Sequence, residues 1–123
     1  MRKENYTHHH NEKAITSNCP ITSTMLAIGG RWKIIILWHL KSGSLRYNEI
    51  RKAIPHISEK MLIQQLKELM QSGWVDKKDY QEIPPRTEYS LTPLGASFIP
   101  ILDRIYEWGV ENRITDLVKD VDG

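Results

Sequence analysis

Immediately after Gly73 the hydrophobic period of this chain changes from 3.6 residues to 2. Upstream, Leu62, Leu66 and Leu69 recur at i, i+4 and i+7, the spacing of one helical face. Downstream, WVDKKDY and RTEYSL alternate as strands do, with Val75, Tyr89 and Leu91 spaced to face a core. An amphipathic helix that runs straight into a β-hairpin admits few architectures.

Earlier segments narrow the choice. Pro20 suits the first position of a short helix over 20–29, in which Ile21, Met25 and Ile28 repeat at helical spacing and Gly29-Gly30 stops the chain. A second helix is predicted over 31–41, with Trp32, Ile35, Ile36 and Leu40 on one face. Ile34, Leu37 and Trp38 widen that face enough to predict deep burial. RYNEIRKAI, residues 46–54, reads as a third helix with Tyr47, Ile50 and Ile54 inward and Arg46, Arg51 and Lys52 outward. Pro55-His56 breaks it. Ser58 is a good N-cap for the helix that ends at Gly73. Gln81–Pro85 is too long for a tight hairpin turn and is stiffened by two prolines. Thr92-Pro93 then restarts a helix running to about residue 112, which Pro100 should kink.

The predicted fold is thus mainly α with a small β-hairpin, a winged helix-turn-helix. Residues 1–18 are read as an arm, 19–112 as the domain, about 74–91 as the wing, about 93–112 as a dimerisation helix and 113–123 as a tail. One domain is what 123 residues suggest. Ile34–Trp38, the longest apolar run, is far short of the roughly 20 residues that span a bilayer. With a polar N-terminus, this predicts a cytoplasmic protein with no membrane partner. A single cysteine, Cys19, excludes a disulfide within the chain.

The net charge of +2 hides an asymmetry. Residues 31–72 hold eight basic against three acidic residues, and residues 93–123 hold three against six. A basic middle suits a polyanion, though ordinary solvated helix surface reads the same way. Helix 58–72 resolves this better. Opposite its leucine stripe lie Lys60, Gln64 and Lys67, flanked by Glu59, Ile63 and Glu68. The major groove admits one helix, Gln pairs bidentately with adenine, and Lys reaches guanine or phosphate. Ser58 can cap the helix or touch phosphate, with the cap the safer role. Gln65, at the edge of the apolar stripe, can reach either way. The candidate DNA-binding residues are Arg46, Ser58, Lys60, Gln64, Gln65, Lys67 and, just beyond the stiff wing tip, Arg86. Residues 73–92 carry one more acid than base, so the wing is expected to make a local contact. The last helix is apolar on more than one side, with Phe98, Ile101, Leu102, Ile105 and Trp108 on one stripe and Ile99, Tyr106 and Val110 off it. The surplus predicts a second chain, and two copies would address two half-sites of duplex DNA.

The runs CPITSTMLAIGGRWKIIILWHL, SLRYNEIRKAIPHISEKMLIQQLKELMQSGWV and PPRTEYSLTPLG, with a helix ending EWG, resemble the HxlR-type branch of the MarR-like winged-helix regulators over about residues 19–109. The resemblance implies a homodimeric transcription factor, commonly a repressor, dimerised by its first and last helices. Ile21, Met25, Ile101, Leu102, Ile105 and Trp108 are then the candidate interface residues. It also implies that helix 58–72 reads the major groove. Ile63 departs from the family, whose members commonly carry a small polar residue there; an isoleucine can meet a thymine methyl instead. Similar regulators use a cysteine at the position of Cys19 to sense oxidants or electrophiles.

Cys19 precedes Pro20, at the N-cap of the first helix, where the thiolate is favoured; Arg31 and Lys33 would add positive potential if near. A redox sensor and a small core residue are both open readings. Two further alternatives are a regulator that binds a small effector in a dimer crevice beneath Trp32, Trp38 and Trp108, and a winged helix used for protein–protein assembly. No catalytic grouping, cofactor motif or metal-ligand spacing is visible, so no enzyme, cofactor or metal site is expected. His8-His9-His10 reads as a polar tail.

Overall fold

The computed structural model describes residues 18–118, so the three histidines lie outside the described residues. The chain divides into two compact units at Arg31–Trp32.

The first unit contains α1 (Pro20–Ile28). Cys19 is its N-cap and Pro20 its first residue, as the sequence suggests. Gly29 caps the end, its N–H donating to the Met25 carbonyl at 2.7 Å. A Cβ on Gly29 would lie 2.2 Å from that oxygen, so only glycine fits.

The second unit runs α2 (Lys33–His39), β1 (Leu45–Arg46), α3 (Tyr47–Ala53), α4 (Glu59–Gln71), β2 (Val75–Tyr80), β3 (Arg86–Leu91), α5 (Pro93–Glu111) and α6 (Ile114–Leu117). Its core draws Ile36, Leu37 and Leu40 from α2 and its end, and Ile50, Ile54 and Ile57 from α3 and the following turn. Leu62, Leu66 and Leu69 from α4, Trp74, Val75 and Tyr89 from the sheet region, and Leu102 from α5 complete it.

Local chemistry fixes the joints. The Ser58 hydroxyl accepts the Met61 N–H at 3.0 Å and starts α4. At its other end Trp74 N–H donates to the Leu69 carbonyl and Gly73 N–H to that of Met70, with Gly73 at φ +85°. This Schellman ending turns the helix into the strand that begins at Val75. Thr92 ties the far end of the hairpin to the same spot. Its N–H donates to the Trp74 carbonyl, its hydroxyl donates to the Gly73 carbonyl, and that hydroxyl accepts the Gly95 N–H. A side chain at Gly95 would strike the Trp74 carbonyl, 2.3 Å from an added Cβ.

Four sequence expectations are corrected. The hairpin is two-thirds of a three-stranded antiparallel sheet, ordered β1-β3-β2; Leu45 pairs with Tyr89 and Arg46 with Glu88. A two-residue strand has no period to detect, which is why 46–54 read as helix from its first residue. The second helix is shorter than 31–41, and its burial is one-sided: Ile36 and Leu37 are fully buried, whereas Ile34 and Trp38 are half-buried and Ile35 is exposed. The tail after residue 112 opens with α6, reached through Arg113 at φ 52°. Leu102 belongs to the protomer's own core, at 3% exposure. Helix α5 continues through Pro100 without a break. Trp38 stacks on Tyr106, ring centroids 5.4 Å apart, and Lys41 bridges to Asp103 at 2.8 Å, binding α2 to α5. Among the described residues no helix is long and apolar enough to cross a membrane.

Candidate nucleic-acid interface

Helix α4 presents Lys60, Ile63, Gln64 and Lys67 as one exposed stripe at i, i+3, i+4 and i+7. The opposite stripe, Leu62, Leu66 and Leu69, is buried to within 1%. The helix is therefore fixed in rotation, and its outer stripe carries two cations, one amide and one apolar side chain at half exposure. Helix α3 precedes it across a short turn, the geometry of a helix-turn-helix.

The inner neighbours of that stripe are tied down. Lys33 of α2 donates to the Gln65 carbonyl oxygen at 3.0 Å and to Glu68 Oε1 at 2.6 Å. Gln64 donates to the other Glu68 oxygen at 2.6 Å. The Gln64 amide first, then the Lys33 ammonium, hold the Glu68 carboxyl below its usual range. Gln65 is thus half-buried and turned toward α2, away from the outer stripe, and Lys33 is engaged on α4. Ser58 has its hydroxyl oxygen in the helix cap. Of the expected contact residues on α4, Lys60, Gln64 and Lys67 share the open face and Gln65 does not.

Arg86 also differs from expectation. It is the first residue of β3, paired with Tyr80 across the hairpin, and not a bare tip. Its guanidinium carbon lies 3.7 Å above the Tyr80 ring, and one nitrogen is 3.1 Å from a Glu82 oxygen. A flat cation next to an aromatic face and a carboxylate is held by both. The tip itself presents Ile83, fully exposed. Beside Arg86, a polar cleft of about 280 Å³ opens, lined by Arg46, Tyr47, Asn48, Pro85, Arg86 and Thr87. Strand β1 is what brings Arg46 to the wing, and sequence periodicity carried no sign of it. Burial first, then the Glu59 carboxylate, raise the Tyr47 phenol, with Arg51 opposing, so the phenol stays protonated.

The apolar surface of α5 splits in two. Leu102 faces the core, and Phe98 meets Trp74 edge-on at 5.5 Å. Leu94, Ile101, Ile105 and Trp108 form an outer stripe, each about half exposed. In the first unit Ile21, Met25 and Leu26 are exposed along α1. In the protomer Trp38 and Trp108 line separate shallow hollows, of about 170 and 280 Å³.

At the head of α1 the Cys19 thiol is held below its usual value. The Thr22 hydroxyl is the main cause, followed by the Thr22 N–H. A lower thiol pKa means more thiolate at neutral pH, the form that reacts with oxidants and electrophiles.

Comparison with known proteins agrees with this geometry. An HTH-type transcriptional regulator of Methanothermobacter thermautotrophicus is 47% identical over 91 residues, covering 74% of this chain and 70% of that protein. The crystal structure of a MarR-family transcriptional regulator from Porphyromonas gingivalis W83 superposes with a TM-score of 0.75 at 42% identity, covering 90% of this chain and 99% of that one. The redox regulator HypR in its oxidised form matches with a TM-score of 0.72 at 42% identity, covering 76% of this chain and 96% of that one. The family of HxlR-like helix-turn-helix proteins matches residues 27–116, so this chain, a winged helix by its own geometry, belongs to that family.

Proposed function

We propose that this protein is a sequence-specific DNA-binding transcriptional regulator, a cytoplasmic homodimeric repressor that reads a pseudo-palindromic operator with α4. The observation that carries this is the division of α4 into a buried leucine stripe and an open stripe of Lys60, Ile63, Gln64 and Lys67. Gln64 suits an adenine edge, the lysines suit guanine or phosphate, and Ile63 suits a thymine methyl. Gln64 first has to leave Glu68, an exposed bond that costs little to exchange. Arg46 and Arg86 flank this face as phosphate or minor-groove contacts. The outer stripe of α5 and the exposed side of α1, with Ile21 and Met25, supply surface for a second copy.

The test is selection of bound fragments from the source genome, followed by anisotropy titration across a range of salt. Gln64→Ala should lose about 1–3 kcal/mol for the selected site and far less for random duplex. Equal losses on both would remove Gln64 from base reading. A salt-independent association, or none, would favour a protein–protein module instead.

The signal, in this reading, is an oxidant or electrophile acting at Cys19. The lowered thiol supports it, as does the similarity to a redox regulator. With one cysteine per chain, the product is a bridge to a second copy, a mixed disulfide or an alkyl adduct. Wild type should lose operator binding on treatment with diamide or a quinone, and Cys19→Ser should not; identical responses rule the sensor out.

A further inference from the structure

We infer that the cleft between β1 and the wing seats a single DNA backbone phosphate, gripped from two sides by Arg46 and Arg86; this rests on the DNA-binding reading above. The sheet register is the first support. Arg46 lies opposite Glu88, and Arg86 is two residues from Glu88 on β3. Alternate residues of a strand share a face, so both arginines stand on the same side of the sheet, with Lys78 opposite Glu88 on the other flank. Both arginines line the same cleft of about 280 Å³, with Asn48 and Tyr47 beside them.

The hydrogen-bond inventory is the second support. Among the described residues, Arg86 Nε is a buried side-chain donor with no hydrogen-bond partner, and the buried Tyr47 hydroxyl, beside Arg51, has no acceptor; both residues line this cleft. Each can donate, so what the cleft lacks is an acceptor. Each carboxylate on this face has one oxygen engaged. Glu88 accepts from Ser44 at 3.3 Å and from the Tyr80 hydroxyl at 3.1 Å, while Glu82 takes one Arg86 nitrogen. An Arg guanidinium binds phosphate through a fork of two N–H groups, and Nε–H is one prong of such a fork. Small adjustment of Arg86 toward the cleft satisfies the orphaned donor and places the wing against the duplex backbone. The two arginines hold the phosphate as a unit, so losing either one releases it, and this sets the test apart from two independent contacts.

The experiment measures affinity of the full chain for a mixed-sequence 30-base-pair duplex over several salt concentrations, for Arg46→Ala, Arg86→Ala, the double variant and Lys60→Ala. Each arginine variant should bind about tenfold more weakly. Each should also flatten the salt dependence by about one phosphate, a slope change near 0.9. The double variant should be little worse than either alone, whereas Arg46→Ala with Lys60→Ala should combine in full. Multiplicative losses with a slope change of about two would place the arginines on separate phosphates, and unchanged binding in both singles would remove the seat; either result leaves the DNA-binding reading standing. Wild type that shows no salt-dependent binding overturns both. Glu82→Gln tests the same site without removing a packed side chain. Freeing Arg86 from its carboxylate should tighten binding about two- to fivefold at low salt, and no change would mean that Arg86 is not a phosphate ligand.

Discussion

The Cys19 thiol owes its acidity to its immediate neighbours. It caps α1, whose first residue is a proline, and the donors that act on it most are those of Thr22. Proline has no N–H to give, so the hydroxyl and N–H of Thr22, with the N–H of Ile21, act on the sulfur. Thr22→Val removes the largest contribution while keeping the branched shape. The thiol pKa should then rise, because the thiolate loses a donor that the neutral thiol needs less. At pH 7 the variant should react more slowly with iodoacetamide, and its rate-versus-pH curve should shift to higher pH. An unshifted curve would assign the acidity to the helix end alone. Position 22 therefore decides how readily the proposed sensor responds.

At the scale of elements, α4 is held by three leucines and, in the proposed reading, meets DNA through four other residues, so the two sets are separable. Leu66→Ala opens a cavity beneath the helix and should cost about 2–5 kcal/mol in a denaturant titration. Gln64→Ala, exposed on the opposite side, should change stability by no more than about 0.5 kcal/mol while it impairs recognition. This helix was legible because burial on one side forces a period that sequence displays. So were the Ser58 and Thr92 caps and the Gly73 ending, since each depends on residues within five positions of one another. Strand β1 was not legible, because its only partner is 42 to 44 residues downstream and two residues make no pattern. The orientations of Gln65 and Arg86 were hidden for the same reason. Lys33 draws Gln65 inward from another helix, and the Tyr80 ring and Glu82 carboxylate fold Arg86 down. Composition gives the residue types at the candidate interface, but tertiary contacts choose which of them face outward.

The whole molecule has more apolar surface than one protomer can bury. Helix α5 satisfies its own chain with Leu102 and Phe98, then continues with Leu94, Ile101, Ile105 and Trp108 on a second stripe. A stripe at i, i+7, i+11 and i+14 follows one helix face over its full length, which suits packing against a symmetry-related copy. A dimer also solves a problem of recognition. A single recognition helix reads only a few base pairs, and two held at a fixed separation read two half-sites. Ile105 is about half exposed in the protomer, so a charge there should leave the fold intact. In the dimer the same charge would be buried without a partner. Ile105→Glu should therefore unfold at nearly the wild-type temperature at low protein concentration, yet sediment near the 14.4 kDa of one chain. Wild type should sediment at about twice that mass. The variant should lose most of its affinity for a two-half-site operator and little of its weak affinity for a single half-site. Wild type that sediments as one chain would overturn the dimer, and the outer stripe of α5 would then need another occupant.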